Sequence, residues 1–168
     1  AALDMERELL QVVRDSATHV VNSSGLNPNQ LKEILLDIVG GIASPPLVLQ
    51  IESFGFRYGL PPDSDLVFDV RFLPNPYYIS ELSPLTGLDL GLQKYVLEQE
   101  DCQTFIAHLD RMLEFLLPCY HKEGKSYLTL AIGCTGGRHR SVTLVEEFAR
   151  RLSCKNIRVR VQHRDIEK

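Results

Sequence analysis

The sequence predicts an α/β domain with a largely parallel sheet flanked by helices, preceded by a short segment of another unit. After residue 47, short β-rich apolar runs alternate with longer helical patterns, which is typical of strands joined by crossover helices. A cluster of glycine and proline near residues 40–46 separates this part from what precedes it. The sequence therefore divides into a first segment (1–41), a linker (42–46) and a main domain (47–168).

The first segment is expected to contain two helices. Apolar residues recur at helical spacing over 2–15, and a short β-like run follows at 18–21. A second helix should run through Asp37, with Asn27 as its N-cap and Pro28 at its first position. Two helices and one strand form a poor independent core, so this segment is expected to be the end of a larger domain.

The main domain is expected to alternate strands and helices. The predicted strands cover 47–53, 66–72, 127–132 and 157–162, and the predicted helices cover 84–98, 102–116 and 139–152. Pro118 is expected to mark the end of the second of these helices, because proline interrupts helical hydrogen bonding. In such folds ligands bind at the carboxyl ends of the strands.

The strand at 127–132 runs into a glycine-rich turn, Gly133–Arg138, which leads into the last predicted helix. Glycines let the backbone approach a ligand, and the N–H groups at the start of a helix favour an anion. Arg138 and Arg140 add guanidinium groups, which match phosphate oxygens. The turn therefore predicts a phosphate-binding site, the alternative being an ordinary tight turn with solvated arginines.

Charge is distributed unevenly along the chain. Residues 1–137 hold nine Lys/Arg against 18 Asp/Glu, whereas residues 138–168 hold nine against four. A basic end on an acidic protein indicates a local surface for polyanions. The four cysteines show no metal-binding spacing, and no apolar run reaches the ~18 residues that span a bilayer. We expect a cytoplasmic protein with no structural metal and no membrane partner.

Five stretches resemble signatures of one family. They are SFGFRYG at 53–59, FDVRFLPNP at 68–76, LTGLD at 85–89, GCTGGRHRSV at 133–142 and HRD at 163–165. Together they identify the chain as similar to the RapZ/YvcJ-type nucleotide-binding family. The resemblance implies that 1–41 is the end of an amino-terminal P-loop NTPase domain. It also implies that 47–168 is a carboxyl-terminal domain resembling the ligand-binding subdomain of phosphofructokinase.

The same resemblance implies a regulatory rather than an enzymatic domain. Full-length members bind or hydrolyse ATP or GTP, but no Walker A sequence occurs in this chain, so no nucleotide cofactor and no hydrolysis are expected of it. In one branch the carboxyl-terminal domain senses glucosamine-6-phosphate, a phosphorylated amino sugar. That branch binds a small regulatory RNA and presents it to an endoribonuclease. Homo-oligomers are also implied.

Carried onto this sequence, the resemblance implies two sets of binding residues. The small-ligand set comprises Asp69, Arg71, Asn75, Thr135, Gly136, Gly137, His139, Arg140 and Ser141. The RNA set comprises Arg57, Arg138, Arg158, Arg160 and Arg164, with Tyr58 and Tyr77 as stacking candidates. Two alternatives stay open: Asp69 could form a salt bridge with Arg71 or Arg57, and His139 could face the sheet.

A second class of function uses the same turn. Cys134 and Arg140 have the C-x5-R spacing of cysteine-dependent phosphatases, in which a thiolate attacks phosphorus and the arginine holds the oxygens. Asp69 could then serve as the general acid. Such phosphatases commonly place histidine before the nucleophile, where this chain has Gly133. Binding without catalysis is therefore the favoured interpretation, and phosphatase activity is the alternative.

Overall fold

The computed structural model describes residues 2–39, 47–153 and 158–168. The chain divides into two compact units, residues 1–45 and 46–168. The division falls within the predicted 42–46 linker, which itself lies outside the described residues. The identity of the first unit as part of a P-loop domain stays a prediction.

The first unit contains helices α1 (Ala2–Ser16) and α2 (Pro28–Ile38), as predicted. Asn27 caps α2 through a reciprocal pair of bonds: its side chain accepts the N–H of Gln30, and the Gln30 side chain accepts the N–H of Asn27, both at 2.9 Å. The predicted strand at 18–21 is wrong. These residues form an irregular, mostly exposed connection, since no neighbouring strand in the described ranges pairs with them.

The second unit is built on a four-stranded, all-parallel sheet in the order β2-β3-β1-β4. Its strands are β1 (Val48–Gly55), β2 (Leu66–Asp69), β3 (Tyr127–Cys134) and β4 (Arg158–His163), and its helices are α3 (Leu90–Leu97), α4 (Glu100–Lys122) and α5 (Arg140–Ser153). This confirms the predicted α/β class with a parallel sheet.

Three predicted boundaries differ from the observed ones by three or more residues. β2 ends at Asp69 because the chain turns there: the N–H of Val70 bonds to Gly133 and that of Arg71 to the Asp69 side chain. α3 begins only at Leu90, since Asp89 folds back and accepts the Thr86 N–H and hydroxyl. Pro118 does not end α4, which continues to Lys122.

Tertiary packing explains how α4 continues through Pro118. The proline lies on the exposed side of the helix, while Leu113 and Leu117 on the opposite side are buried in the core. The burial of each such leucine stabilises the helix by about 1.5–3 kcal/mol, which offsets the roughly 3 kcal/mol cost of an internal proline.

The core lies between the sheet and the helices α3, α4 and α5. Alternate residues of the two central strands, such as Leu49 and Ile51 of β1 and Leu130 of β3, belong to one buried apolar cluster with Val145 and Phe148 of α5. Because α5 is anchored in this way, its first turn is held at the carboxyl ends of the central strands.

The described ranges contain neither a membrane-spanning helix nor a cluster of metal ligands. No helix there is both long and apolar enough to cross a membrane. No group of three or more His, Cys, Asp and Glu side chains is arranged there to hold a metal ion.

Candidate anion-binding site

The segments that follow the four strands of the second unit meet at one edge of the sheet and enclose a pocket of about 310 Å³. The lining residues come from the turn after β1 (Arg57, Tyr58), the turn after β2 (Asn75, Tyr77, Tyr78), the β3–α5 turn (Cys134, Thr135, Gly136, Arg138, His139, Arg140) and the segment after β4 (Lys168). The pocket therefore lies where ligands bind in parallel α/β folds, at the carboxyl ends of the strands.

Close backbone packing sets the shape of the β3–α5 turn. Gly137 has φ of +77°, and a Cβ at this position would lie 2.6 Å from the Gly55 nitrogen. A Cβ on Gly55 would in turn lie 2.6 Å from the Gly136 carbonyl carbon. The turn therefore rests directly on the end of β1, which only glycine at both positions permits.

Arg140 lies beneath the pocket and is only 3% exposed. Its Nη1 donates to the carbonyl oxygens of Leu73 at 2.7 Å and Arg71 at 3.0 Å, and its Nη2 donates to the Thr135 hydroxyl at 3.2 Å. Its Nε is buried, and none of the described residues accepts a hydrogen bond from it. Arg140 thus ties the turn after β2 to the β3–α5 turn, and its Nε has no acceptor among the described residues.

Backbone N–H groups of the same turn add further donors. No acceptor in the described part of the chain takes the N–H of Thr135, Gly136 or Arg138. These groups lie at the amino end of α5, where the helix dipole favours negative charge. N–H groups of this kind at a helix start are the donors that bind phosphate groups in other proteins.

His139 forms part of the pocket wall and is 7% exposed. Its Nε2 donates to the carbonyl oxygen of Leu85 at 2.8 Å, so it faces the turn before α3 rather than the sheet. Burial lowers the pKa of this imidazole, and the charges of Arg138 and Arg140 add to the effect. His139 is therefore uncharged at neutral pH and acts as a hydrogen-bonding group.

Arg138 extends the same wall. Its Nε donates to Leu85 at 3.3 Å and its Nη2 donates to Pro84 at 3.2 Å, both at carbonyl oxygens. Gly87 lets the two segments approach this closely, because a Cβ at position 87 would lie 2.4 Å from the His139 carbonyl oxygen. The turn before α3 and the start of α5 are thereby held together.

Asp69 and Arg71 form an ion pair at 2.6 Å and do not line the pocket. Arg71 holds the pKa of the Asp69 carboxyl below its ordinary value, mainly through its side-chain hydrogen bonds. Arg71 also stacks over Phe56, 4.0 Å from the ring centre. Asp69 thus forms the salt bridge with Arg71 that was one of its two alternatives. Ligand contacts by Asp69 and Arg71 stay a prediction.

Cys134 and Ser141 lie underneath the turn. The Cys134 sulfur accepts the N–H of Gly137 and contacts the Ser141 hydroxyl, both at 3.2 Å. Cys134 is 2% exposed, and Ser141 is fully buried and does not line the pocket. A hydroxyl beside the sulfur is compatible with the phosphatase alternative. Asp69, the general acid in that alternative, is instead paired with Arg71. That alternative stays a prediction.

The segment after β4 brings Lys168 to the pocket, a position that the sequence did not predict. Asp165 of the same segment holds it there. Asp165 is fully buried, accepts the N–H of Gly55 at 2.8 Å, and forms ion pairs with Arg164 and Lys168, each at 2.7 Å. Burial raises the pKa of Asp165, but these bonds outweigh it and keep the carboxyl below its ordinary value. Lys168 is thereby held at the pocket, 4.9 Å from the centre of the Tyr58 ring.

A second hydrogen-bonded cluster positions this segment. The Ser53 hydroxyl and Nδ1 of His163 lie 2.8 Å apart, and Nε2 of His163 lies 3.0 Å from the Glu146 carboxylate. These are the residue types of a serine hydrolase triad, but Ser53 is completely buried, so a substrate has no access to it. The cluster instead ties β4 to β1 and α5.

The predicted RNA-binding residues fall into two groups. Arg57 and Arg138 line the pocket, and Arg164 donates to Asp165 and to the Gly59 carbonyl oxygen. Arg158 and Arg160 are exposed at alternate positions of β4 and share one face of the sheet. The structure therefore does not bring all five into one patch.

Comparisons with known proteins identify the family. The sequence profile described as RapZ C-terminal domain matches residues 47–167. Curated proteins named nucleotide-binding protein match from Geobacter metallireducens (53% identity over 164 residues), Trichlorobacter lovleyi (49% over 165) and Citrifermentans bemidjiense (48% over 164). The chain belongs to this family, which confirms the resemblance of its motifs. The alignments cover 97–98% of this chain but only 57–58% of those relatives.

Proposed function

We propose that this RapZ-type domain is a regulatory binding module whose pocket takes a phosphorylated small molecule. The observation that carries the proposal is the buried Arg140 Nε without an acceptor among the described residues. Burying a charged donor without a partner is costly, so the site favours an anion that supplies one. The neighbouring N–H groups of the turn point to the same class of ligand.

The resemblance supplies glucosamine-6-phosphate as the candidate ligand. The pocket volume of about 310 Å³ lies at the lower end of the range for small-molecule sites, which suits a hexose phosphate. Asn75 at the pocket wall offers an amide for sugar hydroxyls. The tyrosines at positions 58, 77 and 78 offer rings for the apolar face of the sugar.

The test is calorimetric titration of the protein with glucose-6-phosphate and inorganic phosphate, with unphosphorylated glucose as the comparison. We expect saturable binding of the two phosphate compounds only. Arg140→Gln should weaken binding of glucose-6-phosphate by ~1.5–3 kcal/mol, the range for a charged hydrogen bond. Arg158→Gln is the matched control, because Arg158 is equally cationic but does not line the pocket.

Because Arg140 also holds two turns in place, the melting temperature of its variant must be measured alongside. Arg138→Gln gives an independent test from the pocket wall. Absence of binding to either phosphate compound by the unmodified protein, at several temperatures, would contradict the proposal.

An RNA-adapter role, with an endoribonuclease as a further partner, rests on the resemblance. The exposed pair Arg158 and Arg160 offers two cations on one face of the sheet. Contacts to RNA phosphates should make RNA affinity fall steeply with salt concentration. Replacing both arginines with glutamine should reduce the slope of log affinity against log salt concentration by about two. A flat salt response would argue against RNA binding through phosphates. ATP or GTP binding, and assembly into oligomers, belong in this proposal to the full-length protein.

Phosphatase activity is the second candidate, favoured by the Cys134–Ser141 contact at 3.2 Å. Cys134→Ser separates the two functions, since it should abolish release of phosphate from a phosphorylated sugar while largely sparing binding. Release of inorganic phosphate by the unmodified protein, lost in this variant, would establish the phosphatase. We expect no release, because Cys134 is only 2% exposed and its sulfur is held by the Gly137 N–H and the Ser141 hydroxyl.

A further inference from the structure

The helix α4 carries two neighbouring stripes of mostly apolar side chains. The first faces the core and consists of the buried residues Cys102, Ile106, Leu109, Leu113 and Leu117. The second, which we call the outer stripe, repeats at alternating steps of three and four residues and consists of Phe105, His108, Met112, Phe115 and Cys119. Side chains at this spacing lie on one face of a helix. The core of the second unit uses chiefly the first of these faces.

The outer stripe is exposed over most of its length. Phe115 is 70% exposed and Met112 is 37% exposed. Phe105 is half-buried because its ring packs edge-on against Phe148, at 6.4 Å between ring centres. It also joins the stripe to Phe72, which lies 5.9 Å away on the turn after β2 and is 56% exposed. Single exposed apolar residues are ordinary, whereas a continuous row of them marks an interaction surface.

The charges at the two ends of α4 are opposite in sign. Glu100 and Asp101 lie in its first turn, and His121 and Lys122 lie in its last turn. The outer stripe is centred on Met112, near the middle of the helix. A second copy of α4 packed antiparallel about a two-fold axis near this residue places each acidic end beside a basic end, whereas parallel packing brings like charges together. The surface is therefore complementary to itself, as a two-fold interface requires.

We propose that the outer stripe of α4 is a docking surface for a second copy of this chain, with the two helices antiparallel. This inference does not depend on the pocket or on its ligand, and it assigns a self-association surface to the second unit itself. One helix a side is smaller than the ~20–30 residues a side of a standard interface. The expected dimer is therefore weak and forms at micromolar concentrations of the protein.

The experiment is sedimentation equilibrium of the 168-residue chain over a series of micromolar concentrations. A reducing agent is present because Cys119 is exposed. We expect a reversible equilibrium between monomer and dimer. Met112→Lys and Phe115→Lys should each weaken the dimer at least about ten-fold, because each places a charge in the apolar contact. Leu90→Lys is the matched control, since this leucine of α3 is 82% exposed and lies outside the outer stripe.

Charge exchange tests the antiparallel orientation. The pair of changes Glu100→Lys and Asp101→Lys should weaken the dimer several-fold, and so should the pair His121→Glu and Lys122→Glu, because each pair places like charges together at both ends of the contact. A variant with all four changes should regain most of the lost affinity, since its ends are again opposite in sign. These differences should shrink at high salt concentration.

A like-charge contact near the two-fold axis gives a test in the opposite direction. Arg111 is exposed beside Met112 at the edge of the outer stripe, so the antiparallel pair brings the two copies of this arginine close together. Arg111→Gln should therefore strengthen the dimer, by up to several-fold. Melting temperatures of all variants establish that each is folded.

The outcomes that overturn the inference are distinct. A monomer at every concentration would overturn the docking surface. A dimer with unchanged affinity in Met112→Lys and Phe115→Lys would overturn its assignment to the outer stripe. Loss of affinity in these variants, with no recovery when the four charges are exchanged together, would overturn the antiparallel arrangement. Binding of phosphate compounds at the pocket is measured separately, and its failure would leave this inference standing.

Discussion

Replacing Gly137 with alanine should destabilise the protein far more than the same change at Gly136. Gly137 has φ of +77°, a conformation that costs an alanine roughly 1–2 kcal/mol. Its new Cβ would also lie 2.6 Å from the Gly55 nitrogen and 2.8 Å from the Asp165 Cβ, and overpacking of this kind costs about 1–3 kcal/mol. The combined expectation is a loss of about 2–5 kcal/mol in the free energy of unfolding.

Gly136 is the matched control because it lies next in the chain and is also a glycine of the turn. A Cβ there has no described atom within 4 Å, and its φ is not positive. Its replacement should leave stability unchanged or raise it by about 0.4–1 kcal/mol, through a less flexible unfolded chain. Urea denaturation of both variants measures the difference. Equal stabilities would refute the packing of this turn against β1.

Two further predictions concern the neighbouring side chains. Arg140→Ala should destabilise the fold by about 1–3 kcal/mol in urea denaturation, because it leaves the carbonyl oxygens of Arg71 and Leu73 without their donor, whereas Arg158→Ala should change stability by less than about 0.5 kcal/mol. Equal effects would contradict the anchoring role of Arg140. The pKa of His139 lies below its ordinary 6.5, so its stabilising contribution is complete above that pH and is lost as the pH falls through the folded value. His139→Gln should therefore lose less stability than the unmodified protein between pH 7.5 and 5, and identical pH profiles would argue against a buried neutral imidazole.

Hydrophobic periodicity and turn residues predicted the elements that are determined by interactions between residues close in the sequence. Asn27 and Pro28 mark the start of α2 through capping, and the apolar run before Gly133 marks β3, because each signal acts within a few residues. The continuation of α4 through Pro118 could not be predicted this way. It depends on the burial of Leu113 and Leu117 against other elements, which no local pattern contains.

The site was predictable to the extent that it is contiguous in the chain. The glycine-rich turn with Arg140 was found from the sequence, and so were Arg57, Asn75 and Arg138 as candidates. Tyr78 was missed. Lys168 was counted only within the basic end of the chain, because it reaches the pocket through the order of the strands and the anchoring of Asp165. The pairing of Asp69 with Arg71 also needed the turn after β2, which brings the two side chains together.

The placement of nucleophilic and cationic groups supports the binding function proposed above. Both groups that resemble nucleophiles, the Cys134 thiol and the Ser53 hydroxyl, are enclosed and hold backbone segments together. The imidazole of His139 is uncharged, and its Nε2 is committed to the Leu85 carbonyl oxygen. The pocket lining is dominated by cations and hydrogen-bonding groups, and the Cys134 residue that also lines it is only 2% exposed. Donors without a poised base stabilise a bound anion but do not activate an attacking group, which is why ligand affinity is the property to measure first.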